Sequence, residues 1–294
     1  MKLLSVCHST TYRYSEPVRF GPHHLMLRPR DSHDLRVLGS TLALSPPGNV
    51  HWRHDVFGNS VAIVDFAQAA DELSIVSTLK LQRFGGAEPI GPMAGAAATY
   101  PFVYSADDRI DLGRLLEPHY PDPNGALAAW AQQFVDCKEL ETLQLLAAMN
   151  GAINEDFDYV RREDEGTQPP TTTLGRMSGS CRDFALLLIE AARRLGFGAR
   201  FVSGYIYDPA REGSREVQGG GATHAWAAIY LPQAGWIEYD PTNGLIAEEN
   251  LIRVAVTRDP SQAVPVSGSF TGSPSSELGM EVEVTVTAAP APAG

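Results

Sequence analysis

The chain has 294 residues, of which 44% are hydrophobic and 20% are charged, and its formal net charge is −12. This composition is typical of a globular protein that holds one large domain or two smaller ones. The negative charge argues against a nucleic-acid partner, which needs clustered Lys and Arg. No segment approaches the roughly 18 consecutive apolar residues of a membrane-spanning helix, so no membrane partner is expected.

Cysteine usage and the first residues bear on the compartment. Cys7, Cys137 and Cys181 cannot all pair, and their spacing matches no metal-binding motif, so we expect reduced thiols and no metal or other cofactor. The first 14 residues carry Lys2 and Arg13 and lack a long apolar run, so no secretory signal peptide is expected. The expected location is therefore the cytoplasm.

Residues 1–84 predict an N-terminal β-domain. Short segments alternate apolar and polar residues, as half-buried antiparallel strands do, and turn residues such as those at 46–49 separate them. This pattern favours an antiparallel β-sandwich. The histidines of this region have neither helical spacing nor a set of carboxylate partners, so a metal site is not expected among them. The candidate strands are residues 10–14, 37–44, 60–66 and 73–81.

The rest of the chain predicts a linker, a second domain and a tail. Residues 85–99 are mostly Gly, Pro and Ala, which is typical of a linker at a domain boundary. Residues 100–262 predict an α+β domain, and residues 263–294 predict a C-terminal tail with one possible edge strand at 280–287. Within the α+β domain we expect helices at 126–135 and 142–157, a loop at 161–175, and strands at 199–207, 223–231 and 236–240.

The clearest helix begins after Ser180. Ser180 can cap this helix, Asp183 completes a capping-box pattern, and Gly196 provides a left-handed C-terminal stop. Cys181 therefore lies in the first turn, where free N–H groups and the helix dipole favour the nucleophilic thiolate. A cysteine in this position is by itself more often inert than reactive. The apolar stripe of the helix comprises Phe184, Leu187, Leu188, Ala191, Ala192 and Leu195.

A nucleophilic cysteine needs a base, and His224 is the only histidine that follows Cys181. His224 opens a predicted strand that turns at residues 232–235 and returns to Asp240, so the two residues lie at the same end of a hairpin. Because strand side chains alternate faces, Asp240 shares a face with His224 only if it lies opposite an even-numbered residue such as Trp226. That register requires an odd-length loop or a bulge. Asp240 would then orient the His224 ring, and His224 would take the Cys181 proton.

Each of these residues also has an ordinary structural explanation. A histidine at a strand end can bond a backbone carbonyl, and an aspartate before Pro241 can be a turn residue. A capped cysteine, one downstream histidine and a hairpin-linked aspartate are harder to obtain together by chance. Their conjunction favours Cys181, His224 and Asp240 as a catalytic triad.

Three sequence blocks carry a family resemblance: GSCRDFA at residues 179–185, THAW at 223–226 and WIEYDPT at 236–242. They resemble the three blocks of the transglutaminase-like superfamily. The β-rich start, with Tyr-Arg-Tyr at 12–14, and the segment at 104–109 resemble the bacterial branch that carries an extra N-terminal domain. The resemblance covers nearly the whole chain.

The resemblance implies a papain-like core, in which a helix bearing the cysteine packs on an antiparallel sheet bearing the histidine and aspartate. It implies Cys181 as nucleophile, His224 as general base and acid, and Asp240 as the group that orients the histidine. The implied reaction is acyl transfer from a peptide or protein amide through a Cys181 thioester. We expect water as the acceptor, as in a protease or amidase. Transfer to an amine and non-catalytic peptide binding are the alternatives.

Other parts of such a site are less specified. The Cys181 N–H is one candidate oxyanion donor, and Gln168 is a second candidate. Trp226 and Trp236 are candidates for the cleft wall, although core packing is the more ordinary role for each. No acidic cluster resembles the calcium sites of the animal enzymes, and the acidic run at 163–165 is expected to be a solvated loop.

Overall fold

The computed structural model describes residues 2–84, 95–135, 140–161, 166–207, 222–247 and 250–288. Within these ranges the chain combines helices with antiparallel sheets, which confirms the expected α+β class. Cys137, the acidic run at 163–165 and residues 85–94 of the predicted linker lie outside the described residues. No helix in the described ranges is long and apolar enough to cross a membrane.

Two antiparallel sheets form a sandwich from the N-terminal strands. One sheet pairs β1 with β6 and β6 with β3, and the other pairs β2 with β5 and β5 with β4. Buried apolar side chains from both sheets, among them Tyr14, Leu25, Val64 and Ile75, fill the space between them. The strands are β1 (Lys2–Phe20), β2 (His23–Arg28), β3 (Leu35–Ser45), β4 (Gly48–His54), β5 (Ser60–Phe66) and β6 (Ala70–Arg83).

The second part of the chain has a five-stranded antiparallel sheet with the order β14-β13-β12-β11-β15, and helix α5 packs on β11 and β12. Short 3-10 turns lie at Ala96–Ala98, Gly113–Leu116, Pro260–Gln262 and Pro274–Ser276. The helices are α1 (Ala106–Leu112), α2 (Ala126–Gln132), α3 (Thr142–Asp156), α4 (Pro170–Arg176) and α5 (Cys181–Arg194). The strands are β7 (Thr99–Tyr100), β8 (Leu140–Glu141), β9 (Asp158–Tyr159), β10 (Ser178–Gly179), β11 (Gly198–Ile206), β12 (His224–Leu231), β13 (Gly235–Asp240), β14 (Leu245–Ile246) and β15 (Leu251–Thr257).

The C-terminal segment returns to the N-terminal sandwich. The strands β16 (Val266–Ser267), β17 (Phe270–Thr271) and β18 (Glu277–Ala288) pair with β2, β1 and β1 respectively. β18 is an edge strand that runs antiparallel to β1, and Val284 on it is buried. The sandwich is therefore built from both ends of the chain. The domain boundaries drawn from the sequence stay predictions.

The long strands β1 and β6 connect the two parts of the protein. β6 has 14 residues and β5 only seven, so β6 extends about 46 Å and projects beyond the second sheet of the sandwich. Leu73 and Ile75 pack inside the sandwich, whereas Leu79 and Leu81, on the same face, pack against Tyr205 of β11 and its neighbours. One apolar face of β6 therefore serves two cores.

Polar contacts reinforce this junction along β15, an edge strand of the second sheet. The Asn59 side chain donates to the Val256 carbonyl (2.7 Å) and accepts from the Val256 N–H (2.9 Å), as a neighbouring strand would. Arg83 donates to the Leu251 carbonyl (3.0 Å). Because these contacts cover the open edge of β15, they remove a site at which another strand could pair.

Helix α5 is buried on nearly every side, whereas its sequence predicts one apolar face. Helices α2, α3 and α4 cover the side that faces away from the sheet, and even Glu190 and Arg193 are buried. The Glu190 carboxylate pairs with Arg193 and Arg194 (2.9 Å each) and accepts from the His119 N–H (3.1 Å). This pairing satisfies the buried charges, so the helix tolerates burial of its polar face.

Two local predictions about this region have different outcomes. The C-terminal stop is confirmed: Gly196 has φ +89°, and the N–H groups of Gly196 and Phe197 bond the Arg193 and Ala192 carbonyls (3.0 Å each). The predicted loop at 161–175 is wrong in its second half, where α4 begins at Pro170. A proline suits the first helical position because its missing N–H would be unpaired there, and the polar composition hid the helix.

Gly204 and Gly151 make a matched test of the packing around the sheet. A Cβ added at Gly204 would lie 2.1 Å from the Ile252 carbonyl oxygen, whereas one added at Gly151 in α3 would meet nothing within 4 Å. Gly204→Ala should destabilise the protein by about 1–3 kcal/mol through overpacking. Gly151→Ala should be neutral or stabilise by up to about 1 kcal/mol. Thermal unfolding followed by circular dichroism measures both, and equal midpoints for the two variants would contradict the packing described.

Candidate active site

The first turn of α5 is held by a buried carboxylate. Asp183 accepts hydrogen bonds from the Ser180 N–H (2.9 Å), the Ser180 hydroxyl (2.9 Å) and the Gln168 N–H (2.7 Å). Ser180 and Asp183 form the capping box that the sequence predicts. Cys181 is consequently the first residue of the helix, with its backbone N–H among those that lack an intrahelical partner. The Cys181 side chain is a free thiol and is nearly buried.

The hairpin β12–β13 brings His224 and Asp240 together. Ala227 lies opposite Tyr239, and Leu231 lies opposite Gly235, so three residues form the loop. Continued by one residue, this register places Asp240 opposite Trp226, as side-chain parity requires for a face shared with His224. The His224 Nε2 and Asp240 Oδ2 atoms are 2.8 Å apart, and both side chains are fully buried.

Thr242 and Asn243, which follow Asp240 closely in the chain, donate further hydrogen bonds to its carboxylate. The Thr242 N–H donates to Asp240 Oδ1 (3.0 Å), and the Asn243 side-chain amide donates to Asp240 Oδ2 (2.8 Å). The same amide nitrogen lies 3.5 Å from His224 Nε2. The sequence analysis gave Asn243 no role, although its place three residues after Asp240 in a turn is a signal that it could reach back to the carboxylate.

The charge state of His224 is set by its neighbours. Burial alone would lower the pKa of the His224 imidazole, but the Asp240 carboxylate raises it well above the ordinary value of 6.5 through its charge and its hydrogen bond. The Cys181 thiol adds a smaller contribution in the same direction. Asp240 occupies Nε2, and the buried Nδ1 has no hydrogen-bond partner among the described residues. Nδ1 is therefore the ring nitrogen available to Cys181. The surroundings therefore favour the imidazolium form of His224.

Tyr159 lies near the candidate site, and the sequence analysis gave it no role. It lies opposite Gly179 in the short parallel pair β9–β10, directly before the first turn of α5. Burial raises the pKa of the Tyr159 hydroxyl to about 12, and the nearby Cys181 and Asp240 act in the same direction. A phenol with such a pKa keeps its proton at neutral pH and can donate a hydrogen bond. Its sequence neighbourhood contains no motif that would have identified it.

Gln168 and the two tryptophans do not line the site as suggested. The Gln168 side-chain amide donates both of its hydrogens elsewhere, to the Thr173 hydroxyl in α4 (3.2 Å) and to the Ser178 carbonyl in β10 (2.9 Å), which contradicts an oxyanion role for it. Trp226 is fully buried in a cluster with Val202 and Ala228. Its ring stacks on His224, with the two centroids 5.9 Å apart. Trp226 therefore supports the histidine ring from within the core.

Trp236 packs away from the thiol. The Arg200 guanidinium lies 3.9 Å from the centroid of its ring, and Tyr230 packs against it with the centroids 5.4 Å apart. Burial also lowers the pKa of Arg200 to about 10. The two tryptophans have the core-packing roles that the sequence analysis weighed as the ordinary explanation.

Comparison with known proteins identifies the family. Residues 128–241 match the model of the transglutaminase-like superfamily, and residues 4–82 match that of the bacterial transglutaminase-like N-terminal region. The chain belongs to the transglutaminase-like superfamily. This membership supports a cysteine-based catalytic role and confirms the resemblance seen in the sequence.

Relatives of this superfamily member match it along almost its full length. The chain is 27% identical over 285 residues to an uncharacterized protein of Mycobacterium leprae, with 96% of this chain and 98% of the relative covered. It is 28% identical over 302 residues to an uncharacterized protein of Mycobacterium tuberculosis, with 95% and 91% covered. The crystal structure of a candidate cysteine protease from Cytophaga hutchinsonii superposes with a TM-score of 0.71 at 20% identity, covering 97% of this chain and 91% of the other. That likeness establishes the fold.

The described residues were also considered as ligands for a metal ion. Within the described ranges, no three His, Cys, Asp or Glu side chains are grouped in a way that would hold a metal ion.

Replacing Asp240 with Asn should lower the pKa of His224, because a neutral amide removes the charge that favours the imidazolium while burial remains. NMR titration of the carbon-bound ring protons of His224 would show a midpoint at lower pH in Asp240→Asn. The buried His8 in the N-terminal sandwich, whose pKa is lowered to about 4, should titrate as before. An unchanged midpoint for His224 would show that Asp240 does not control its charge.

The same shift predicts how stability depends on pH. Because the pKa of His224 is raised in the folded protein, its charged pair with Asp240 contributes stability that is fully present below pH 6.5. That contribution is lost as the pH rises through the raised pKa. The unfolding midpoint of the wild-type protein should therefore fall more steeply on the alkaline side than that of Asp240→Asn.

Proposed function

We propose that this protein is a cysteine hydrolase that cleaves an amide or peptide bond through a Cys181 thioester. The observation that carries the proposal is the buried His224–Asp240 pair (2.8 Å) beside a cysteine at the start of a helix. Nucleophile, base and orienting carboxylate are the three parts that thiol-dependent acyl transfer requires. Membership of the transglutaminase-like superfamily supports the same chemistry.

The first step is attack by the thiolate. An imidazolium at His224 and the N-terminus of α5 both stabilise a negative charge on the Cys181 sulfur. The sulfur attacks the carbonyl carbon of the amide, and the carbonyl oxygen becomes negative in the tetrahedral intermediate. We assign the Cys181 N–H and the Tyr159 hydroxyl as donors to that oxygen. His224 then gives its Nδ1 proton to the leaving amine as the C–N bond breaks, and a thioester remains.

The second step returns the enzyme to its starting state. Neutral His224 takes a proton from water, and the resulting hydroxide attacks the thioester carbon. The C–S bond breaks, the carboxylic acid product leaves, and the thiolate–imidazolium pair forms again. Asp240 stays ionised throughout and holds the ring through Nε2. Thr242 and Asn243 keep the Asp240 oxygens in place, so we assign these two as positioning residues.

We propose water as the acceptor because of how the two candidate wall tryptophans pack. An enzyme that transfers acyl groups to amines must exclude water until the amine arrives. The two tryptophans that the sequence offered as walls pack instead in the core and against Arg200. Water at roughly 55 M then outcompetes a dilute amine.

Selective alkylation tests whether Cys181 is activated. Iodoacetamide at pH 7 should modify Cys181 at least about tenfold faster than Cys7, because an ordinary thiol is only a few per cent ionised there. Cys7 is exposed and Cys181 is nearly buried, so faster reaction at Cys181 would reflect chemistry and not access. His224→Ala should slow labelling at Cys181 and leave Cys7 unchanged. Equal rates, or faster loss at Cys7 or Cys137, would favour a non-catalytic peptide-binding protein.

Turnover of an amide, once a peptide library supplies one, tests the roles. Cys181→Ala and His224→Ala should abolish turnover, because nucleophile and base act as one unit. Asp240→Ala should retain a measurable remainder, reduced on the order of a hundredfold or more, because Asp240 orients and does not react. A fully active Asp240→Ala would remove Asp240 from the mechanism.

The product ratio decides between water and amine. With a millimolar primary amine present, mass spectrometry should find mainly the free carboxylate and at most a minor amine-coupled product. Wild-type protein without added amine and Cys181→Ala with amine are the controls. Mainly amine-coupled product would replace hydrolysis with transfer, while Cys181, His224 and Asp240 would keep their roles.

A further inference from the structure

Positive charge is concentrated in the N-terminal part of this acidic protein. Residues 1–84 carry nine Lys or Arg and seven Asp or Glu, so their net charge is +2. The remaining residues carry 14 basic and 28 acidic side chains, a net charge of −14. A region with a positive net charge can present a local binding site for an anion even when the whole chain is strongly acidic.

One surface cavity at the end of the sandwich has three of these arginines in its wall. The cavity has a volume of about 480 Å³, and Arg28, Arg30, Arg53 and His54 contribute to its wall with Trp52. The strand register places Arg28, Ser60 and His54 in one row across β2, β5 and β4. The volume lies within the range that small-molecule sites occupy.

The arginines of this cavity have no carboxylate partner in the part of the chain that the structure describes. The Arg28 guanidinium lies 5.8 Å from the centroid of the Trp52 ring. Arg30 lies against the backbone of Gly58, where an added Cβ would come 2.4 Å from its Nη1 atom. Asp31 is the only acid in the cavity wall, and it accepts a hydrogen bond from the Val37 N–H. Three arginines therefore contribute to the wall of one open space, and that wall contains a single carboxylate.

We propose that this cavity binds a phosphate monoester. The formal charges of the three arginines and Asp31 in the wall sum to +2, which matches the charge of about −1.5 to −2 on a phosphate ester at pH 7. A guanidinium group donates paired hydrogen bonds in the geometry of phosphate oxygens, and a phosphate ester offers three such oxygens on one centre. A dicarboxylate of the same charge spreads it over two separate centres.

Trp52 supplies the contact for the organic part of the ligand. Its side chain is 47% exposed, which is unusual for a tryptophan and places apolar ring surface at the mouth of the cavity. A sugar or nucleobase attached to the phosphate can pack on this ring. The cavity lies in the N-terminal sandwich and shares no residue with the Cys181 site, so the two proposals stand or fall separately.

Isothermal titration calorimetry of the full chain at fixed pH and ionic strength tests the site. The probes are adenosine monophosphate, inorganic phosphate, adenosine and succinate. We expect saturable binding of one adenosine monophosphate per chain, weaker binding of inorganic phosphate, and none of adenosine. The double variant Arg30→Gln and Arg53→Gln should weaken monophosphate binding at least tenfold. Trp52→Ala should weaken adenosine monophosphate more than inorganic phosphate.

Arg19→Gln is the matched control, since Arg19 is exposed on β1 of the same sandwich and outside the cavity wall. It removes one positive charge and should change the affinity less than twofold. Unchanged unfolding midpoints would show that all variants fold. No saturable binding of either phosphate probe, tighter binding of succinate, or an equal loss in Arg19→Gln would each overturn the proposal.

Discussion

The position of the cysteine depends on the buried carboxylate of Asp183. This side chain receives hydrogen bonds from the Ser180 backbone, the Ser180 hydroxyl and the Gln168 backbone, so it joins the α5 N-terminus to the preceding loop. A buried carboxylate without such donors would cost several kcal/mol. The same constraint recurs at Glu190, where Arg193, Arg194 and backbone N–H groups neutralise a second buried acid. With both acids satisfied, α5 can be enclosed on all sides and hold the Cys181 thiol in a defined place.

The histidine and aspartate depend on a second constraint, the register of one hairpin. With three residues in its loop, β12–β13 puts both side chains at the same end of the sheet. A slip by one residue would turn Asp240 to the opposite face. Asn243 and Thr242 then hold the carboxylate, and Trp226 supports the His224 ring. The candidate site is therefore assembled from a helix terminus and a strand pair, which are rigid elements that preserve hydrogen-bond geometry.

The N-terminal sandwich is an integral support of the core. It covers the edge strand β15, and the apolar face of its own strand β6 packs against that strand. The Asn59 side chain also bonds the Val256 backbone as a neighbouring strand would. His8 bridges Thr10 and Tyr205 with its two ring nitrogens (3.1 and 3.0 Å), and burial lowers its pKa to about 4. His8 is therefore neutral, and it can be donor at one nitrogen and acceptor at the other. The sandwich also concentrates the positive charge that the net charge of the chain conceals.

Local patterns in the sequence determined the features whose causes lie within a few residues. The capping residues and Gly196 set the ends of α5, and the loop of three residues set the parity of His224 and Asp240. Tertiary structure alone decided which distant surfaces meet. It buried Glu190, paired Tyr159 with Gly179 just before α5, and paired β18 with β1 across almost the whole chain. The physical reason is that an alternating strand or a polar helix face is compatible with several neighbours. The choice among them depends on the total apolar surface buried and the polar groups satisfied, which no short stretch of sequence contains.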